Sequence, residues 1–171
     1  MDRGLTKSIA PVEEIQRFPI PAEELARYTS HLPAKRPKKP IAFIHGHGLW
    51  NDLSLQATLD WLDTLRSAAV VAAPWLSEPV DGSAFNSFPS LMLTPNAAGK
   101  LKPDEWIRTQ GNKALMIFEE SVGVEMARRG VEHLGTWNMS IQANKYDGVH
   151  VDLKGNLVKG MMVLNWLNML D

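Results

Sequence analysis

Hydrophobic positions along the chain follow two rhythms. Short apolar runs occur at "IAFIH" (41–45) and at "LMLT" (91–94), and "VEHLGTWNM" (131–139) reads as a third strand. Runs that are apolar on both faces are expected for strands inside a parallel sheet. Between them the spacing changes to that of a helix. Leu55, Leu59, Leu62 and Leu65 recur on one face of "DLSLQATLDWLDTLRSAAV", with Asp52 as the expected N-cap. A long helix is predicted from about 103 to 129, stopped by Gly130, and "NLVKGMMVLNWLNML" (156–170) predicts a final amphipathic helix sealing the sheet. Upstream, "PVEEIQRFPIPAEELARYTSHL" (11–32) reads as one or two short helices interrupted by Pro19 and Pro21. "PAKRPKKP" (33–40) reads as a solvated basic connector, and "PWLSEPVDGSAFNSFPS" (74–90) as loop.

The order is one helical segment followed by three β-α units, which predicts an α/β fold: a parallel sheet between two helical layers. Two parts are expected, a helical segment with a Pro-rich linker over 1–40 and the α/β portion over 41–171. In such sheets ligands sit beyond the carboxyl ends of the strands. Two unusual stretches, 45–52 and 137–152, both follow strands and are expected on one rim. Composition narrows the field further. A net charge of −1 argues against a general nucleic-acid surface. The absence of cysteine removes disulfides and thiolate metal sites. No run reaches the roughly 18 apolar residues of a membrane span, and the first residues lack the apolar core of a signal peptide. As written, the expectation is a soluble chain without a membrane segment.

The corner "AFIHGHGLWNDL" (42–53) admits three readings. His45 and His47 alternate, so both point to one side of an extended segment, and His133, His150, Asp147 and Asp152 are further conceivable ligands. No spacing among these demands a metal, and none is expected, nor any other cofactor. A strand running into "HGHG" also resembles the segment that places an oxyanion-hole amide in lipases, but the Gly-x-Ser-x-Gly elbow of those enzymes is missing: "EESVG" around Ser121 carries Glu119 in place of the first glycine. The third reading rests on "YDGVHVDL" (146–153), where Asp147 precedes His150 by three residues in the last loop. A carboxylate so placed can hold one imidazole nitrogen and leave the other to act as a base.

The block "DGVHVDLKGNLVK", together with "GHGLWNDL", resembles the SGNH (GDSL-type) hydrolases. The closest resemblance is to the esterase-like branch related to sugar O-acyl esterases, in its fungal-type members, and it covers roughly 38–171. It implies a flavodoxin-like sheet with His150 as base and Asp147 as its orienting partner. Gly48 and Asn51 become oxyanion-hole donors, although Gly48-Leu-Trp-Asn51 is one residue longer than the usual spacing. Trp50 and Asn138 become candidate substrate contacts. The implied reaction is ester hydrolysis or acyl transfer, on a small-molecule or carbohydrate ester such as an O-acetylated sugar.

The resemblance is incomplete where the covalent step belongs. No Gly-Asp-Ser precedes residue 41, and Ser8 and Ser30 follow neither an apolar strand nor a glycine turn, so the nucleophile is unassigned. The strand that carries it is absent from the pattern. This predicts an incomplete sheet with an unpaired edge open to self-association. The chain then reads as the C-terminal portion of a longer protein, with any N-terminal anchor missing. The alternative is a non-catalytic carbohydrate-binding or interaction module derived from the same fold. Lys100 and Lys102 are expected to be solvated; Trp137 and Gln142 lie on the expected rim.

Overall fold

A computed structural model describes residues 15–38, 41–78 and 89–170. The chain runs α1 (Ala22–Ser30), β1 (Phe43–Gly46), α2 (Leu55–Ala72), β2 (Ser90–Leu93), α3 (Asp104–Gln110), α4 (Asn112–Arg128), β3 (Glu132–Leu134), α5 (Thr136–Ser140) and α6 (Leu153–Asn168). The strands form one parallel sheet in the order β1-β2-β3, with His45 beside Met92 and Met92 beside His133. The class is therefore α/β with a small parallel sheet. Among the described residues β1 and β3 each have one strand neighbour, so both are edges.

One sheet face carries most of the core. Met92 is fully buried among Leu62 and Leu65 of α2, Val122 and Met126 of α4, and Trp61. His45 and His47 follow the parity expected of an extended segment. Both rings lie against Trp61, His45 edge-on at 6.0 Å and His47 stacked at 4.6 Å.

Residues 15–38, expected as a helical piece and a solvated connector, are packed onto α2. The Trp61 indole donates to Ile15 O at 3.0 Å, and Leu25 and Tyr28 of α1 lie against the main core. The Trp75 indole donates to Pro33 O, and Arg36 donates to the carbonyls of Trp75 and Glu78. Residues 11–14, 39–40 and 79–88, which include parts of those expected segments, lie outside the described residues.

Three boundaries differ from the expectation. Asp52 is not the N-cap of α2: it sits in the left-handed region at φ 50°, and Ser54 caps the helix by accepting from Ala57 N. The predicted helix over 103–129 is two helices, because Gly111 is extended and the Asn112 side chain brackets Ala98 through both N–H and C=O, which fixes where α4 begins. The third strand stops at Leu134, where Thr136 turns the chain into α5 by donating to Thr94 O.

Among the described residues His45 and His47 are buried without a partner on Nε2. Burial lowers both imidazoles from the ordinary 6.5 to about 4. The unfolded chain thus binds these protons near pH 6.5 while the folded chain resists them until about pH 4. Stability is complete above pH 6.5 and is lost as the pH falls through that window, at a limit of roughly 3 kcal/mol per histidine. Urea unfolding at pH 7 and at pH 4.5 should show this loss. His45→Leu, which removes one titrating ring that makes no side-chain hydrogen bond among the described residues, should roughly halve it; an unchanged pH dependence in that variant would refute the assignment.

Candidate functional site

The Asp147–His150 loop is built largely from its own sequence. Asp147 Oδ1 accepts the backbone N–H of Val149 at 2.9 Å and of His150 at 2.7 Å, so the carboxylate closes a tight turn over itself. Its other oxygen, Oδ2, lies 2.5 Å from His150 Nδ1. The His150 and Val149 contacts hold the Asp147 carboxyl far below the usual carboxylate range, with the His150 amide the largest cause. Asp147 is therefore ionised and able to fix Nδ1 as the protonated nitrogen, which leaves Nε2 as the acceptor. The His150 side chain is 64% exposed, and Tyr146 stacks nearly parallel to it at 6.0 Å. Among the described residues no side chain hydrogen-bonds His150 Nε2.

The loop is then docked on the rest of the rim. Gly148 has φ 83°, and a Cβ there would stand 2.0 Å from Lys102 N, so glycine is required on both counts. Gly148 O accepts from Gly99 N at 2.8 Å, and Asn96 Nδ2 donates to Val149 O at 3.3 Å. Lys145 pairs with Val151 across the base of the loop, and Asp152 ends it as the N-cap of α6 by accepting from Gly155 N.

The glycine corner lies on the same rim. Gly48 turns at φ 139°, the 3₁₀ turn Leu49–Asn51 follows, and Gln110 Nε2 donates to Leu49 O at 3.1 Å and to Asp52 Oδ1 at 3.2 Å. Gln110 Oε1 in turn accepts from Lys102 Nζ at 3.1 Å. Lys102 thus spans the two segments, its backbone under Gly148 and its ammonium group on the amide that holds the corner. It is 6% exposed, which corrects its reading as a solvated lysine. Burial pushes its pKa down, and the nearby Asp52 carboxylate partly offsets this.

The remaining candidates divide. The Gly48 N–H makes no hydrogen bond among the described residues, as a waiting oxyanion donor would require. The Asn51 amide is occupied on both sides, accepting from Phe18 N and donating to Phe18 O at 3.2 Å each, so in this structure it clamps the N-terminal segment. Trp50 is 58% exposed with the Arg17 guanidinium 5.7 Å from its ring centre. Asn138 is exposed on α5. Trp137 is tied down, its indole on Asn112 and its amide on the Glu119 carboxylate, which also accepts from Thr94 Oγ1 at 2.7 Å. Ser121 lies within α4, and Glu119 of the same stretch anchors α5, a structural role for "EESVG". His47 is held by Thr58 through Nδ1 at 2.9 Å, and among the described residues no group of three His, Asp or Glu converges as a metal site would require.

The sequence did not single out Gln110 or Tyr146. Tyr146 had a signal, since it adjoins Asp147 in a loop already marked. Gln110 had none, because its partners Leu49 and Asp52 are about sixty residues away.

Removing Gln110 tests the bridge. Gln110→Leu strands the buried Lys102 ammonium group and Leu49 O, at a cost of about 2–3 kcal/mol. Lys102→Met together with Gln110→Leu should cost clearly less than the sum of the two single variants, because neither partner is then left unpaired. Denaturant unfolding of the four proteins measures this coupling, and strict additivity would show that the contact carries nothing.

No helix among the described residues is long and apolar enough to cross a membrane. Compared with protein-family models, with curated proteins and with solved structures, the chain matches none.

Proposed function

We propose that this chain carries the base half of an SGNH-type ester hydrolase or acyl transferase, with His150 as general base and Asp147 as its orienting partner. The observation that carries the reading is the 2.5 Å contact between Asp147 Oδ2 and His150 Nδ1, in an imidazole side chain that is 64% exposed. In the proposed reaction a serine hydroxyl attacks the acyl carbonyl and gives its proton to His150 Nε2, while Asp147 stabilises the imidazolium. The tetrahedral intermediate collapses as the ester C–O bond breaks, and His150 returns the proton to the leaving alcohol. Water then repeats the sequence on the acyl-enzyme, or an acceptor alcohol does so in acyl transfer.

Gly48 N–H is the oxyanion donor in this reading; removing such a donor typically costs about 100- to 1000-fold in rate. Asn51 joins it only if its amide leaves Phe18. The attacking serine is not assigned to a position, and the reading requires one on this chain within reach of His150 Nε2. The exposed rings of Tyr146 and Trp50 suit the flat face of a sugar, which favours an acylated carbohydrate as substrate.

A second reading, a carbohydrate-binding module that does not cut, draws on the same two rings and on the commitment of the Asn51 amide to Phe18. Fluorophosphonate labelling of the folded chain, followed by intact mass, separates the two. Hydrolysis predicts one adduct per chain, slowed at least about 100-fold by His150→Ala, with peptide mapping naming the serine. A folded chain that forms no adduct and turns over no acetyl ester overturns the hydrolase reading. Saturable binding of an acetylated oligosaccharide, weakened by Tyr146→Ala, would then support the module.

A further inference from the structure

The final helix carries apolar side chains on both of its faces, yet only one side of it is covered. Gly155 and Trp166 are its buried residues, with Lys159, Met162, Val163 and Leu170 partly covered on the same side. At about 100° per residue, Leu153, Leu157, Val158, Met161, Leu164 and Met169 all fall within about 80° of Met161 on the opposite side, in an arc that also holds Lys154, Asn165 and Asn168. Each of these six is between 45% and 75% exposed. A helix apolar on both faces belongs inside a structure, and here the outer face has nothing on it among the described residues.

We infer that this face of α6 is the interface of a homodimer in which two copies of the helix pack antiparallel, centred on Met161. Spacing, charge and exposure argue for it. Lys154, Leu157, Met161, Leu164 and Asn168 follow one another at intervals of three and four, the spacing of a seam between two packed helices. A two-fold axis at Met161 sets Leu153 against the partner's Met169 and Val158 against the partner's Leu164, with Leu157 beside the partner's Asn165 and Lys154 beside the partner's Asn168, so apolar pairs flank the axis on both sides.

Charge selects the direction. The only charged side chains on α6 are Lys154 and Lys159, and Lys159 points inward to donate to Asn96 at 2.8 Å. A parallel pair would set Lys154 beside its own copy. The antiparallel pair sets it beside the carbonyl end of the partner helix, where a cation is favoured. Six large apolar side chains left at 45–75% exposure on one face form the contiguous kind of patch that marks an interaction surface. This surface is separate from the sheet edges and independent of any role for His150.

The test uses the chain as it is, with sedimentation equilibrium and light scattering over about 1–100 µM, a range suited to an interface of modest area. A monomer–dimer equilibrium is expected, and Met161→Glu, which places two carboxylates at the axis, should raise the dissociation constant at least about tenfold. Its far-UV circular dichroism should be unchanged, because Met161 is 63% exposed. The absence of cysteine makes the geometry directly testable. Under oxidant Met161→Cys should crosslink to its own copy. Lys154→Cys should crosslink to Asn168→Cys in a mixture and not to itself. A chain that stays monomeric throughout, a dimer indifferent to Met161→Glu, or self-crosslinking of Lys154→Cys would each overturn the proposal. So would a monomer that sediments with anionic lipid vesicles through this face, which would make the occupant a membrane surface.

Discussion

Gly48 turns at φ 139° with Phe118 and Pro95 packed so close that a Cβ would lie 2.8 Å from the phenyl ring and 3.0 Å from the proline, and this crowding decides where much of the molecule can lie. Phe118 is itself in the main core, so it cannot withdraw without opening a gap there. The reversal makes Gly48 O the acceptor for both Asn51 N and Leu53 N, carries Asp52 and Leu53 through left-handed backbone, and releases the chain at Ser54 into α2. The direction of α2 then brings Trp61 onto His47 and its indole onto Ile15 O. The Asn51 side chain meets Phe18 from the same turn. One position without a side chain therefore fixes the end of β1, the axis of α2 and the seat of the N-terminal segment together.

Features set by local sequence were legible in advance, and features set by distant contacts were not. The strand at 90–93 could be read because a strand flanked on both sides in a parallel sheet is apolar on both faces; the run at 41–45 also marks a strand, but β1 is an edge among the described residues and Ile44 is exposed. The Asp147–His150 pair could be read because a carboxylate and an imidazole three residues apart meet whenever the turn between them closes, and Asp147 closes it by its own hydrogen bonds. The N-cap of α2 could not be settled locally. Asp52 and Ser54 both suit the position, and the choice is made by Gln110, which draws the Asp52 carboxylate away from the helix. The break at Gly111 depends on Asn112 finding Ala98, and the burial of Lys102 depends on Gly148 closing over it. The parallel order of the three strands gives an α/β class, and the resemblance to the SGNH hydrolases lies in two motifs of the sequence.

The histidines of the β1 corner are explained by packing. An imidazole kept neutral can stack as a flat ring, and His47 does so on Trp61 while keeping one hydrogen bond to Thr58. An unpaired buried nitrogen costs about 1–3 kcal/mol, and contact with a large aromatic surface offsets part of that. The balance holds only while the ring is uncharged. A corner that resembles a metal site in sequence is therefore, in the structure, an apolar seam that acid can open.

The exposed His150 owes its position to α6 as much as to its own loop. Asp152 begins that helix immediately after the loop, and Lys159, one side of the helix further on, donates to Asn96, whose amide donates to Val149 O beside His150. The contacts form a closed ring: helix to Asn96, Asn96 to loop, loop back to helix. A shift of α6 along or about its axis must stretch one of these bonds or carry the loop with it. The inner side of α6 and the His150 loop are thus joined through Asn96 by two hydrogen bonds.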